Sequence, residues 1–388
     1  MNRDPHDDVF LAIDDGGHAL GTEQKPMQER NGVQLPNIEK ELDRLWDQNE
    51  GGSRTRACLF TLVVFVQERC RSDYFDTLVS AVTEQYPCRI IYIKANPDPK
   101  QDYFHSSVSV EALGQGNQKT TCDKITLEVS ASQLGRVPFI VSPHLVPDLP
   151  IYLMWGQDPT TETQVLPQLT RFATRVVFDP ECTNDLHRFS REILQRIGKS
   201  GADILDLNWA RCHGWRELLA SVYSKDDDIK RLSACCNIDI VYNCRETPSI
   251  QYLDLQALYL QAWLAAQLGW RYAGRKARDG REDTTTYTSK SETITVKLIG
   301  REVEDLPSGK ILQLDLRTSD GYHTQLQRQG ASRQVRVIRS SPSLCELPYF
   351  AVISQLTRQH SLLREVFYEH MGGHYHHMLQ ALTQILQS

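Results

Sequence analysis

Two hydrophobic patterns take turns along the first half of the chain. Leu59-Phe60-Thr61-Leu62-Val63-Val64-Phe65-Val66 is a continuous apolar, β-rich run, the pattern of a strand buried on both faces. Phe75, Leu78, Val79, Val82 and Tyr86 then recur at i, i+3, i+4, i+7 and i+11, one apolar stripe of a helix. Pro87 stops that helix, and Arg89-Ile90-Ile91-Tyr92-Ile93 predicts a second strand. Strand, helix and strand at this spacing predict a parallel βαβ unit. Val108-Ser109-Val110 and Ile125-Thr126-Leu127-Glu128-Val129 alternate, and Gly114-Gln115-Gly116-Asn117 separates them as a hairpin turn. Further buried strands are predicted at Leu149–Trp155 and Arg175–Asp179. Helices are predicted around Thr163–Phe172 and through Leu186, Phe189, Ile193, Leu194 and Ile197. The rhythm predicts a doubly wound, Rossmann-like α/β domain over 35–200.

The pattern changes in the second half. Trp215, Leu218, Leu219, Val222 and Tyr223 form a helical stripe. Leu255, Leu258, Tyr259, Ala262, Trp263 and Ala266 form another, with Gly269 as its stop. Residues 294–298, 311–316 and 334–338 read as antiparallel strands with one wet face, and 362–386 as helical with a break at Gly372-Gly373. An α+β C-terminal domain is predicted over 201–388. Upstream of Pro36 there is no periodicity; a short helix through Ile38, Leu42, Leu45 and Trp46 follows it. Residues 1–34 are therefore read as a flexible acidic tail.

Composition narrows the function classes. The chain has 388 residues and a net charge of -6, with 40% hydrophobic residues, globular proportions that argue against disorder. Residues 1–50 hold 12 acidic and 5 basic residues, and residues 271–340 hold 14 basic and 9 acidic. A broadly basic nucleic-acid binder is excluded on this balance. No apolar run approaches the ~18 residues of a spanning helix, and the N-terminus lacks the order of a signal peptide, so a cytoplasmic protein is expected. The ten cysteines are scattered and are expected to be reduced, mostly core residues.

The search for chemistry returns mainly negatives. Gln67-Glu68-Arg69-Cys70-Arg71-Ser72-Asp73 follows the first strand without a glycine, so the backbone cannot approach a pyrophosphate there. No Gly-x-Ser-x-Gly elbow occurs. Asp226-Asp227-Asp228 reads as a solvated loop, and Cys212-His213 would diverge by about 100° on a helix. His370, His374, His376 and His377 cluster around a glycine break without a complementary ligand, so no metal site is expected. Trp155 and Asp179 fall at strand ends, where open α/β sheets bind ligands; a sheet cap and a helix N-cap are the plainer readings. Asp206–Leu219 concentrates Trp209, Arg211, Trp215 and Arg216, residue types that anchor interfaces or fill a domain seam.

Several stretches, in order, resemble the OpcA family of glucose-6-phosphate dehydrogenase assembly proteins. They are Arg56-Ala57, Pro87-Cys88-Arg89, Asp148-Leu149-Pro150 leading to Trp155, and Arg175–Asp179. Asp206-Leu207-Asn208-Trp209-Ala210-Arg211, Trp215-Arg216-Glu217, Leu260–Leu264 and Leu268-Gly269-Trp270 complete the set. The resemblance implies a protein without catalysis or cofactor of its own. It would bind glucose-6-phosphate dehydrogenase and promote its active oligomer at the entry to the oxidative pentose phosphate pathway. No nucleic acid or membrane partner is implied. Trp155, Trp209, Arg211, Trp215 and Arg216, with the basic segment 271–340, are the expected contacts. Cys235, Cys236 and Cys244 are the candidates for a thiol switch. A sugar-phosphate sensor of the same pathway, gripping phosphate with arginines at the strand ends, is the alternative expectation, and a pathway enzyme is a third.

Overall fold

The computed structural model describes residues 28–48, 58–67, 71–98, 100, 102–113, 120–146, 148–161, 164–199, 201–248, 250–278, 281–289, 292–353, 366–367 and 373–387. Of these, the residues within 28–184 and 195–205 form one compact unit, and those within 185–194 and 206–387 another.

The first unit is built on one sheet. Its strands are β1 (Gln28–Asn31), β2 (Thr61–Gln67), β3 (Arg89–Asn96), β4 (Phe104–Leu113), β5 (Thr120–Ser130), β6 (Ile151–Gly156), β7 (Arg175–Phe178) and β8 (Asp203–Asp206). They lie in the order β1-β4-β5-β3-β2-β6-β7-β8. The run β5-β3-β2-β6-β7 is parallel. With the β1 and β4 additions set aside, the order is the 3-2-1-4-5-6 of a doubly wound nucleotide-type sheet, which reverses direction between β2 and β6. The continuous apolar runs become strands because both faces are covered: Leu62 to Val66, Ile90 to Ile93 and Leu153 to Trp155 are all buried.

The helices here are α1 (Ile38–Gln48), α2 (Ser72–Thr83), α3 (Val137–Val141) and α4 (Val165–Thr170), and α5 (Leu186–Arg196) follows β7. In α1 the stripe Ile38, Leu42 and Leu45 is buried, and Glu39 and Glu41 sit in the first turn, where carboxylates suit the helix dipole. Arg89 holds this helix to the sheet. It reaches Asp123 Oδ2 at 2.8 Å and Glu39 Oε1 at 3.0 Å, while His144 Nδ1 lies 2.7 Å from Glu39 Oε1.

The tail expectation needs correction at its end. Residues 1–27 lie outside the described residues, but Gln28–Asn31 is an edge strand antiparallel to β4, in register Gln28↔Val110. Backbone pairing carries such a strand, so its polar Gln-Glu-Arg-Asn sequence gives no hydrophobic signal. The loop glycines at 114–117 also lie outside the described residues.

The second unit contains α6 (Leu207–Arg211), α7 (His213–Val222), α8 (Asp226–Ser233), α9 (Leu255–Gln267) and α10 (Gly373–Leu386). Its strands are β9 (Cys235–Asn243), β10 (Arg271–Arg278), β11 (Glu282–Ser289), β12 (Glu292–Arg301), β13 (Ile311–Thr318), β14 (His323–Arg328), β15 (Gln334–Ser341), β16 (Leu344–Cys345) and β17 (Tyr349–Val352). The order is β10-β11-β12-β9-β13-β14-β15-β16, with β17 also on β15. Among the described residues only β12 and β9 pair in parallel in this sheet; the other pairs are antiparallel. One face of this sheet is apolar. The cross-strand row Leu298, Ile240, Leu314, Leu326 and Val337 is buried and continues to Tyr349. The row beside it, Lys297, Asp239, Asp315, Gln325 and Ile338, belongs to the opposite, largely polar face.

Candidate functional site

The strand-end crevice of the first unit is where its topology would place a ligand. Among the described residues, several internal contacts lie there. Arg71, just before α2, is buried and pairs with the fully buried Asp179 at 3.2 Å, and its guanidinium lies 4.3 Å from the Tyr74 ring centroid. Asp179 Oδ1 also accepts from Glu181 N at 3.2 Å, the N-cap role its position suggests. Asp158 accepts from Thr183 Oγ1 at 2.9 Å and from Thr160 N at 2.8 Å. Trp155 stacks on Phe65 at 4.2 Å and 14°. It is fully buried, with no acceptor for its indole N–H among the described residues. Gly156 is needed for space: a Cβ there would lie 2.6 Å from the Phe75 ring.

The aromatic and basic residues of the second unit form a different structure. Asp206 caps α6 by accepting from Trp209 N at 2.7 Å through Oδ1. Its Oδ2 accepts from Tyr259 at 2.8 Å and Tyr375 at 2.6 Å. Burial, and then the Asp206 charge, push the Tyr375 phenol well above its ordinary range, so it stays a donor. Arg216 stacks on Trp209 with its guanidinium carbon 3.5 Å from the ring centroid and donates to the Trp209 carbonyl. Trp209 and Tyr375 lie 5.4 Å apart.

The expected contact residues are therefore placed as follows. Trp209, Trp215 and Arg216 come together around α6 and α7 but are buried, and Arg211 is half-buried. Trp155 belongs to the first unit and is buried too. As an exposed surface the set is corrected: Trp209 packs against Arg216 and Tyr375, and Trp155 is buried against Phe65 even though its indole N–H has no acceptor among the described residues. The thiol candidates fare similarly. Burial, then the neighbouring Cys236 and Asp320 charges, push the Cys235 thiol up to about 12, against reactivity. Cys235 and Cys244 lie about 30 Å apart along one extended segment, so they cannot pair. Nine described cysteines are free thiols; Cys70 lies outside the described residues. His374 and His376 bond Gln267 and Gln380, and His370 lies outside the described residues. Among the described residues no group of His, Cys, Asp or Glu could hold a metal ion, and no helix is long and apolar enough to cross a membrane.

The surface that stands out is the outer rim of the second sheet. Leu344 (63%), Leu347 (91%), Tyr349 (43%), Phe350 (59%) and Val352 (65%) are exposed in succession. Arg336 is exposed and paired across from Phe350, with Arg333 exposed nearby. No sequence signal warns of this. An apolar run such as Leu344–Val352 reads as core, and only the strand order makes it an edge.

Comparison with known proteins gives the chain its relatives. Residues 79–195 match the family model described as glucose-6-phosphate dehydrogenase subunit N-terminal domain (OpcA), and residues 202–365 match the corresponding C-terminal domain. A protein from Nostoc punctiforme described as OxPP cycle protein OpcA is 26% identical over 313 residues, covering 74% of this chain and 64% of its own. One of the same description from Synechocystis sp. is 27% identical over 198 residues, covering 50% and 39%. The chain thus spans less than two thirds of the length of these relatives. A solved 3-ketoreductase from Actinomadura kijaniata, holding TDP-benzene and NADP, is similar with a TM-score of 0.51 at 10% identity over 84% of this chain and 96% of its own, a likeness of fold alone. With both domain models matched in order over most of its length, the chain belongs to the OpcA family of glucose-6-phosphate dehydrogenase subunit proteins.

Proposed function

We propose that this chain is a non-catalytic assembly factor, acting in the cytoplasm, that binds glucose-6-phosphate dehydrogenase and favours its active oligomer in the oxidative pentose phosphate pathway. The observation that carries the reading is the match of both dehydrogenase-subunit domain models, in order, across residues 79–365. A contact at the strand ends supports it: Arg71, a guanidinium that could grip a phosphate there, is engaged by Asp179. The same contact weighs against a sugar-phosphate sensor at that place.

The mechanism is linkage. A protein that binds the assembled enzyme more tightly than the loose subunits shifts assembly by that difference in affinity. Dehydrogenase kinetics and sedimentation, with and without this chain, test it. The expected result is a larger enzyme species and higher activity at limiting enzyme concentration, with no turnover by this chain alone. Unchanged sedimentation and activity at saturating amounts of the chain would refute it.

A further inference from the structure

Across the second sheet, buried apolar rows and polar rows alternate residue by residue along the strands until the last edge, where the alternation fails. Tyr349 extends the row that contains Val337 and Leu326, so it belongs to the core face. Phe350 and Val352 pair with Arg336 and Gln334 and belong to the polar face. Leu344 and Leu347 lie in the segment leading to this strand and are more than 60% exposed. The rim is thus apolar on both faces and along its length. Five large apolar side chains in one nine-residue stretch expose on the order of several hundred Å², the scale at which patches mark interaction sites.

The edge is also guarded against indiscriminate strand pairing. Pro348 separates β16 from β17 and offers no N–H, and β17 has four residues. Short strands and prolines blunt an edge as a template for another backbone. What remains available is side-chain surface.

We propose that this rim, Leu344 to Val352 with Arg333 and Arg336, is the surface that the dehydrogenase covers, through an apolar patch bordered by acidic residues. The inference rests on the assembly reading above and adds the place and chemistry of contact. Charge selects the occupant. Arg333 and Arg336 are exposed and form no ion pair among the described residues. They belong to the segment whose 14 basic residues exceed its 9 acidic ones. A second copy of this chain would offer its own rim, where Glu346 is half-buried beside Tyr322 at 3.5 Å and two arginines would need partners.

The test uses the full chain and the purified dehydrogenase of the same organism. Leu347→Asp with Phe350→Asp should weaken binding by about tenfold or more and lower activation in step, with unchanged circular dichroism and melting temperature. Arg336→Glu should weaken binding by about threefold to tenfold and flatten its salt dependence. If the aspartate pair disturbs folding, Leu347→Ser alone and Arg336→Glu carry the test. Folded variants that bind and activate like the wild type would overturn this surface while leaving the assembly reading intact. Failure of the wild-type chain to bind the dehydrogenase would overturn both. A wild-type chain that self-associates through this rim, with the variants monomeric yet still binding the enzyme, would assign the rim to a second copy instead.

Discussion

The carboxylate of Asp206 is fully buried and takes hydrogen bonds from a backbone amide and two phenols. Tyr375→Phe removes one phenol and changes little else, because the ring stays. A hydrogen bond to a charged acceptor contributes about 1.5–3 kcal/mol, so the variant should lose about that much stability. For a unit of this size that corresponds to a fall in melting temperature of about 4–10 °C. Tyr259→Phe should cost a similar amount. Both phenols serve the same oxygen, Oδ2, so the double variant strips it of both. Its cost should then exceed the sum of the singles by about 1 kcal/mol or more, since a buried charge loses its remaining phenol donor. Urea unfolding followed by tryptophan emission suits the measurement, because Trp209 lies 5.4 Å from Tyr375. The reasoning fails if Tyr375→Phe falls within about 0.5 kcal/mol of wild type, or if the double variant is simply additive.

Glu39 gives a pH prediction. Burial raises its pKa, but the hydrogen bond with His144 and the charge of Arg89 outweigh that and hold it below the ordinary range. A depressed carboxylate contributes stability above its unfolded-state value, and that contribution disappears as pH falls through the folded value. The melting-temperature gap between wild type and Glu39→Gln should be present at pH 7 and close below about pH 4; a gap that widens on acidification would contradict the network. Gly156→Ala should cost about 1–3 kcal/mol by overpacking against Phe75, and Phe75→Leu should recover part of it in urea titrations. In native alkylation at pH 8, exposed Cys345 should react well before buried Cys235; equal rates for the two would show that β9 opens readily.

The parallel core was legible because its strands are buried on both faces, so Leu59–Val66 and Arg89–Ile93 announce themselves without context. The second sheet was legible only where one face is core, as in Ile311–Leu316. β10 and β11 were missed because Arg271–Arg278 and Glu282–Ser289 are rich in Thr, Arg and Lys, and their stability comes from pairing with each other and with β12. Hydrophobic period carries no trace of that. The grouping of Trp209, Trp215 and Arg216 was readable as a cluster, but not its burial, which depends on Tyr259 and Tyr375 arriving from distant positions. The rim was illegible for the converse reason: Tyr349-Phe350-Ala351-Val352 has core composition, and exposure is decided by which strand comes last in the sheet.

The strand ends of the first unit allow one further step, from backbone to purpose. Arg71 adopts φ 51 and ψ 32 at the start of α2, a left-handed conformation that costs a non-glycine residue about 1–2 kcal/mol. A nucleotide-binding sheet places glycine at such a turn, which removes that cost and lets the backbone meet a pyrophosphate. Here the strained residue instead carries a guanidinium to the buried carboxylate of Asp179. Two effects therefore oppose each other in Arg71→Gly. Relief of backbone strain stabilises by about 1 kcal/mol, and loss of one partner of a buried ion pair costs about 3–5 kcal/mol. The broken ion pair outweighs the relieved strain, so Arg71→Gly should destabilise by about 2–4 kcal/mol in urea unfolding. Adding Asp179→Asn should recover much of the loss, because the buried carboxylate charge that Arg71 offsets goes with it. A stabilised Arg71→Gly variant would mean that the turn dominates and that the guanidinium is dispensable to the unit.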